Sequence, residues 1–264
     1  MSDVPPPSSA TPANATSGRV IRAALIIFPL GTVILGIASF GIWWVKRVQV
    51  EERGYKYALA LRRDITEAGL ARHISILQDV YRQTPDKLLP SVAAYLESSM
   101  GAENMGYQVR RDTFQQGGID LSNVDVELTN KKRFREILLV LVPYGDTDPA
   151  RQTAEVQALA TLLSVAHAIT GESGSQTLRL AAIPAAHDAT SLERFVAAAR
   201  GKEERFMQVF VLGDPSPATQ TTLQKAFRVE ETGTVIHHLP ATQDSATTLP
   251  AAQALKTRLL ELLK

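Results

Sequence analysis

The sequence predicts a three-layer αβα domain with a mixed, largely parallel central sheet, preceded by one transmembrane helix. Three observations carry that prediction. Residues 23–45 form an uncharged apolar run long enough to cross a bilayer. Residues 137–142, ILLVLV, are continuously apolar, as in a strand buried on both faces. From there to the C-terminus strand-like and helix-like segments alternate, which is the pattern of an α/β domain.

The N-terminal 22 residues are dominated by Pro, Ser, Ala and Thr and offer almost no apolar bulk. Such a segment cannot offset its ordering entropy by burial, so a disordered tail is expected over 1–22. The run AALIIFPLGTVILGIASFGIWWV follows over 23–45, and a helix of that length spans about 30 Å of hydrocarbon. Arg22 closes one end. Trp43, Trp44, Lys46 and Arg47 close the other, where indoles and cations meet lipid headgroups. No small-residue cleavage pattern follows the run, so it reads as a retained anchor rather than a signal peptide. Thr32 and Gly36 form a single small-xxx-small pair, a weak signal for helix dimerisation.

Beyond the anchor, mixed charge with Leu61, Ile65, Leu70, Ile74 and Leu77 at helical spacing predicts one or two helices up to Tyr81. KLLPSVAAYLESSM predicts another, so that 46–100 forms juxtamembrane helices packing on an α/β domain over 101–264. Strands are expected at Tyr107–Phe114, Asn123–Leu128 and Arg135–Val142. Leu159, Leu162, Leu163, Ala166 and Ile169 mark one stripe of an amphipathic helix that stops before Gly171. Strands at Thr177–Ile183, Met207–Leu212 and Thr234–Leu239 then alternate with helices at Ser191–Ala199, Thr219–Phe227 and Pro250–Leu263.

Composition narrows function mainly by exclusion. The chain holds 28 basic and 27 acidic residues. Arg19, Arg22 and Asp3 precede Ala23, which leaves 26 of each sign beyond it and gives no reason to expect a nucleic-acid partner. With no cysteine, disulfides, thiolate metal sites and a cysteine nucleophile are all excluded. Neither a G-x-G-x-x-G nor a G-x-x-x-x-G-K-S phosphate cradle occurs, and no G-x-S-x-G elbow marks a serine hydrolase.

The runs YLESSMGAENMGYQVRRDTF, SNVDVEL, REILLVLVPYGD, LLSVAHAI and TLRLAAIP together resemble metallopeptidase family twenty-eight, the co-catalytic zinc aminopeptidases, over about residues 60–215. In that family a Gly-Tyr-x-Val strand, an Asn-Val strand and a buried strand ending in His-x-Asp follow one another. Gly106, Tyr107 and Val109 match the first, Asn123 and Val124 the second, and Ile137–Val142 the third. The ligands depart from the pattern. Pro143, Tyr144 and Gly145 occupy the His-x-Asp positions, the zinc-bridging Asp falls near Ala154 and Glu155, and the Glu-Glu pair falls near Ala186 and His187. The later Asp aligns with Asp214 and the final His with His237 or His238. The resemblance therefore implies a degenerate fold without the general base that would activate zinc-bound water.

Two further readings stay open. A divergent zinc aminopeptidase or amidohydrolase would draw a shifted metal set from Asp146, Glu155, His187, Asp214 and His237, and zinc would then be its cofactor. An α/β interaction domain would instead be held at the bilayer beside a membrane-protein partner. The preferred expectation is a non-catalytic membrane-tethered domain acting in binding or assembly, with no cofactor. Asp146 and Asp148 read first as turn and capping residues, and His187, Asp188, Asp214, His237 and His238 as strand-end polar residues. The side of the membrane is contested. Lys46, Arg47, Arg53, Lys56, Arg62 and Arg63 favour a cytoplasmic domain, whereas the resemblance favours an extracytoplasmic one.

Overall fold

A computed structural model describes residues 32, 35–47, 49, 56–129, 132–146, 148–172, 174–184, 189–213, 217–240 and 245–264. The chain divides into two compact units, Met1–Gly54 and Tyr55–Lys264. In the first unit, residues 35–47 are helical and present Leu35, Ile37, Phe40, Ile42, Trp43, Trp44 and Val45 with at least half of each side chain exposed. The Arg47 guanidinium lies over the Trp43 ring at 5.3 Å. No helix among the described residues is long and apolar enough to cross a membrane. Residues 23–31, 33 and 34 of the expected span lie outside the described residues.

The second unit is a six-stranded mixed sheet with helices on both faces. Its strands are β1 (Arg110–Gln116), β2 (Ile119–Leu128), β3 (Glu136–Tyr144), β4 (Thr177–Pro184), β5 (Arg205–Leu212) and β6 (Val235–Leu239), in the spatial order β1-β2-β4-β3-β5-β6. β4, β3, β5 and β6 are parallel to one another, whereas β2 runs antiparallel to both β1 and β4. The helices are α1 (Glu67–Tyr81), α2 (Pro85–Met100), α3 (Pro149–Ile169), α4 (Ala189–Arg200), α5 (Pro217–Phe227) and α6 (Ser245–Leu263), with a single helical turn at Val229–Thr232.

The period-2 pleat of β3 sorts its apolar run between two cores. Leu138, Val140 and Val142 face the larger core, which includes Leu77, Leu96, Leu159 and Leu259 from α1, α2, α3 and α6. Ile137, Leu139 and Leu141 face the smaller one, with Leu192 and Phe195 of α4 and Leu223 and Phe227 of α5. A residue of β3 is thus buried whichever way it points, so an uninterrupted apolar run is what this position requires.

Several boundaries differ from expectation for physical reasons. Tyr107 precedes β1 because α3 holds it: its hydroxyl donates to the Ala166 carbonyl at 2.7 Å. β2 starts at Ile119, since Gly117 and Gly118, with φ of 61° and 81°, close a two-residue hairpin turn of a hand that suits strand twist. Helix α3 is buried on all sides from Val156 to Ile169 except at the half-buried His167, rather than along one stripe, because α1 and α6 cover the face turned away from the sheet. Helix α6 begins five residues before Pro250 and carries that proline inside. The segment expected to be helical up to Tyr81 breaks at 62–66, where the Thr66 hydroxyl caps α1 by accepting from the Gly69 amide.

On the α4 side of β2 and β4, the sheet carries a buried charge cluster beside the apolar Ala181 and Ile183. Arg179, whose side chain is 4% exposed, pairs with Glu204 at 2.7 Å, Glu127 at 3.0 Å and Asp125 at 3.7 Å. Arg110 also pairs with Asp125, and with Glu127 at 2.8 Å. This network borders a cavity of about 460 Å³ under α4.

Candidate functional site

Open α/β sheets place their ligands at the carboxyl ends of the parallel strands, so the region after β3 and before α3 is the first place to look. Pro143 is tolerated there because pairing with β5 has already ended at Leu141, so its missing amide costs no ladder bond on that side. Tyr144 is fully buried and its hydroxyl donates to the Ser122 carbonyl at 2.6 Å. Gly145 has φ of 85°, which calls for glycine, and a Cβ there would also displace the end of the Leu89 side chain.

The centre of this region is the Glu155 carboxylate, on the second turn of α3. Oε2 accepts from the Gly145 amide at 2.9 Å and from the Tyr81 hydroxyl at 2.8 Å. Both of its oxygens accept from the Asp146 amide at 3.1 Å. Burial pushes the carboxyl up to about 7 against the opposing effect of these donors, and the neighbouring Asp146 charge adds to the rise. The same contact and burial hold the Tyr81 phenol far above its ordinary value.

The other sequence candidates are spread around this point rather than gathered at it. Asp146 turns toward the helix: Oδ1 accepts from the Asp148 amide at 2.9 Å and Oδ2 pairs with Arg151 at 3.2 Å. Asp148 caps α3 by accepting from the Ala150 amide at 3.0 Å. These are the turn and capping roles that a D-T-D sequence before a helix suggests. His237 sits in the interior of β6 and stacks on Phe210, with ring centroids 4.7 Å apart. His238 is exposed on the same strand. His187, Asp188 and Asp214 lie outside the described residues.

Among the described residues, no group of three or more His, Asp or Glu side chains could hold a metal ion. At the end of β3 the ligand positions that the resemblance implies are filled by Pro143, Tyr144 and Gly145. Proline and glycine side chains offer no lone pair, and the Tyr144 oxygen is engaged with a carbonyl. The Glu155 carboxylate accepts from two amides and a phenol. Among the described residues, those at the end of β3 do not by themselves supply a co-catalytic zinc pair. Sequence reasoning placed Glu155 near a ligand position but missed Tyr81, which reaches it from 74 residues away at the last position of α1. The only signal available was that Tyr81 ends the apolar face of that helix.

Comparison with solved structures supports the fold. Fimbriiglobus ruber glutaminyl cyclase superposes with a TM-score of 0.56 at 11% identity, covering 74% of this chain and 95% of that one. Bacteroides thetaiotaomicron glutaminyl cyclase bound to N-acetylhistamine gives 0.54 at 9% identity, over 76% and 98% of the two chains. A putative zinc-dependent exopeptidase from Bacteroides vulgatus gives 0.53 at 11%, over 76% and 97%. No family model matches the sequence, and no curated protein sequence does either. The domain thus shares its fold with the glutaminyl cyclases and the putative zinc-dependent exopeptidase, at identities that speak for the fold alone.

Proposed function

We propose that this chain is a membrane-anchored, non-catalytic relative of the zinc-aminopeptidase and glutaminyl-cyclase fold that acts in binding or assembly. The observation that carries the reading is the commitment of Glu155. The loop after β3, which in a zinc enzyme of this fold presents metal ligands, is here tied to α3 by a carboxylate bonded to the Gly145 and Asp146 amides. In this reading a protein group holds together what a metal would otherwise organise.

The anchor is supported by the uncharged run at 23–45 and by the apolar side chains that residues 35–45 leave uncovered. In this reading 1–22 is a free tail, 46–100 supplies the helices next to the bilayer, and 101–264 is the peptidase-like domain. The lipid bilayer is one partner and a membrane protein in the same bilayer is the other. Protease protection in sealed vesicles decides the side: cleavage at the domain from the cytoplasmic face would support the charge bias over the resemblance.

The test of the non-catalytic reading is zinc content together with activity. The full chain, purified in mild detergent without chelator, is expected to carry zinc at background by elemental analysis. It should cleave neither aminoacyl nor N-terminal glutaminyl peptide substrates after zinc is added. One or two zinc ions per chain with turnover would overturn the reading. The divergent enzyme would replace it, with ligands from Asp146, Glu155, His187, Asp214 and His237.

A further inference from the structure

A second polar cleft lies toward the other end of α3. Ser164 is nine residues beyond Glu155, about 14 Å further along the helix axis, so the two regions are separate. Here the start of α1, the C-terminal part of α2 and the C-terminal third of α3 enclose about 790 Å³, within the range of small-molecule sites.

The lining is built for a negative charge. Arg63, just before α1, and Arg72, on α1, border the cleft, and neither guanidinium has a side-chain partner among the described residues. Asp64, the carboxylate in the same wall, is paired with Lys256 at 3.2 Å. His73 Nδ1 lies 2.8 Å from the Tyr95 hydroxyl. With the hydroxyl as donor, the His73 Nε2–H is left as a free donor. His167 bonds the Leu61 carbonyl through Nε2 at 2.9 Å, which requires a proton on that nitrogen. Burial, then the neighbouring His167 and Arg72, hold His73 down at about 4, as expected where positive charge lacks a counter-ion.

The independent observation is Ser164. It lines the cleft, is only 7% exposed, and its Oγ has no hydrogen-bond partner among the described residues. Buried hydroxyls are almost always paired, so this Oγ, closed off in the cleft wall, is left for an acceptor that a ligand or a bridging water brings.

We propose that this cleft binds a phosphate group carried on a small organic body, with Arg63 and Arg72 as charge partners and His73 and Ser164 as hydrogen-bond donors. The donors arrive from the loop before α1, from α1 and from α3, and a tetrahedral oxyanion presents oxygens in several such directions. The volume exceeds that of bare phosphate, so the remainder of the ligand occupies the rest of the cleft. Either a soluble phosphate ester or a lipid headgroup supplies this chemistry. The site stands whether or not the region after β3 binds metal.

The test uses the full chain in detergent and follows the His73 imidazole by NMR, assigned by comparison with His73→Gln. Inorganic phosphate and glycerol 3-phosphate are each expected to shift that resonance saturably. The double variant Arg63→Gln/Arg72→Gln should weaken binding by about tenfold or more. Both arginines are exposed and without side-chain partners, so the variant should fold as the parent does, which circular dichroism would verify. Ser164→Ala should weaken binding about threefold to tenfold and leave folding intact. Saturation by the soluble esters assigns a soluble ligand, whereas a shift only in phosphatidylglycerol nanodiscs, absent from the double variant, assigns a headgroup. No shift in any of these media, an undiminished response in the double variant, or acetate binding as tightly as phosphate would overturn the proposal.

Discussion

Two titrating groups, Glu155 on α3 and the half-buried His73 on α1, should pull stability in opposite directions with pH, and replacing either should unmask the other. The Glu155 carboxyl rises on folding from 4.5 to about 7, so the folded state binds more protons than the unfolded chain between those values. Its contribution is complete below 4.5 and is lost as pH rises through about 7. At 1.36 kcal/mol per pH unit, the loss is about 3 kcal/mol. His73 falls on folding from 6.5 to about 4, so the unfolded chain binds the extra proton in that window. Its contribution is complete above 6.5 and is lost as pH falls through about 4, by about 2–3 kcal/mol given its partial exposure. Across pH 4.5–6.5 the two slopes nearly cancel. These two groups should therefore add little net slope in this window, and relative to the parent Glu155→Gln should gain stability as pH rises and His73→Gln should lose it. Urea denaturation of the full chain followed by circular dichroism at 222 nm measures this. Tryptophan emission would not, because Trp43 and Trp44 both lie in the N-terminal unit. Unfolding curves for Glu155→Gln that stay parallel to the parent from pH 4.5 to 7.5 would refute the assignment of Glu155 as a proton-binding hub.

Other substitutions probe the same architecture. Tyr81→Phe removes the 2.8 Å donor to Glu155 and should cost about 1.5–3 kcal/mol above pH 7, while moving the Glu155 midpoint upward; the same denaturation series reads both. Gly145→Ala forces a Cβ against Leu89 at a positive φ, and about 2–4 kcal/mol should be lost in urea midpoints. Arg179→Met leaves Asp125, Glu127 and Glu204 with Arg110 as the remaining arginine and should cost about 3–5 kcal/mol, with part recovered at low pH as the carboxylates protonate.

Elements whose signal is local were legible from the chain. The ILLVLV run reads as a central strand because both faces of β3 are covered, and alternation of segments after it yields the parallel strands β3 to β6. The D-T-D sequence before α3 announces a cap, and Asp148 supplies it. The same reading set the end of β3 against the His-x-Asp pattern and found Pro143, Tyr144 and Gly145, an observation about side-chain chemistry that needs no coordinates. The Gly117-Gly118 hairpin is an equally local signal, and without it the sequence-based expectation ends β1 two residues early and starts β2 four residues late.

What only the tertiary structure decided are the encounters between residues far apart in the chain. Glu155 looked like a shifted ligand because spacing locates a carboxylate along a helix but says nothing about what it accepts from. Packing of α1 against α3 brings Tyr81 to it, and the turn at Gly145 aims two amides at it, so that this carboxylate ties the loop after β3 to both helices. Likewise Arg63, His73, Tyr95 and Ser164 carry no shared motif, and they line one cleft only because three helices meet there. Periodicity is a property of neighbours along the chain, whereas a site is a property of neighbours in space, and the sequence by itself records only the first.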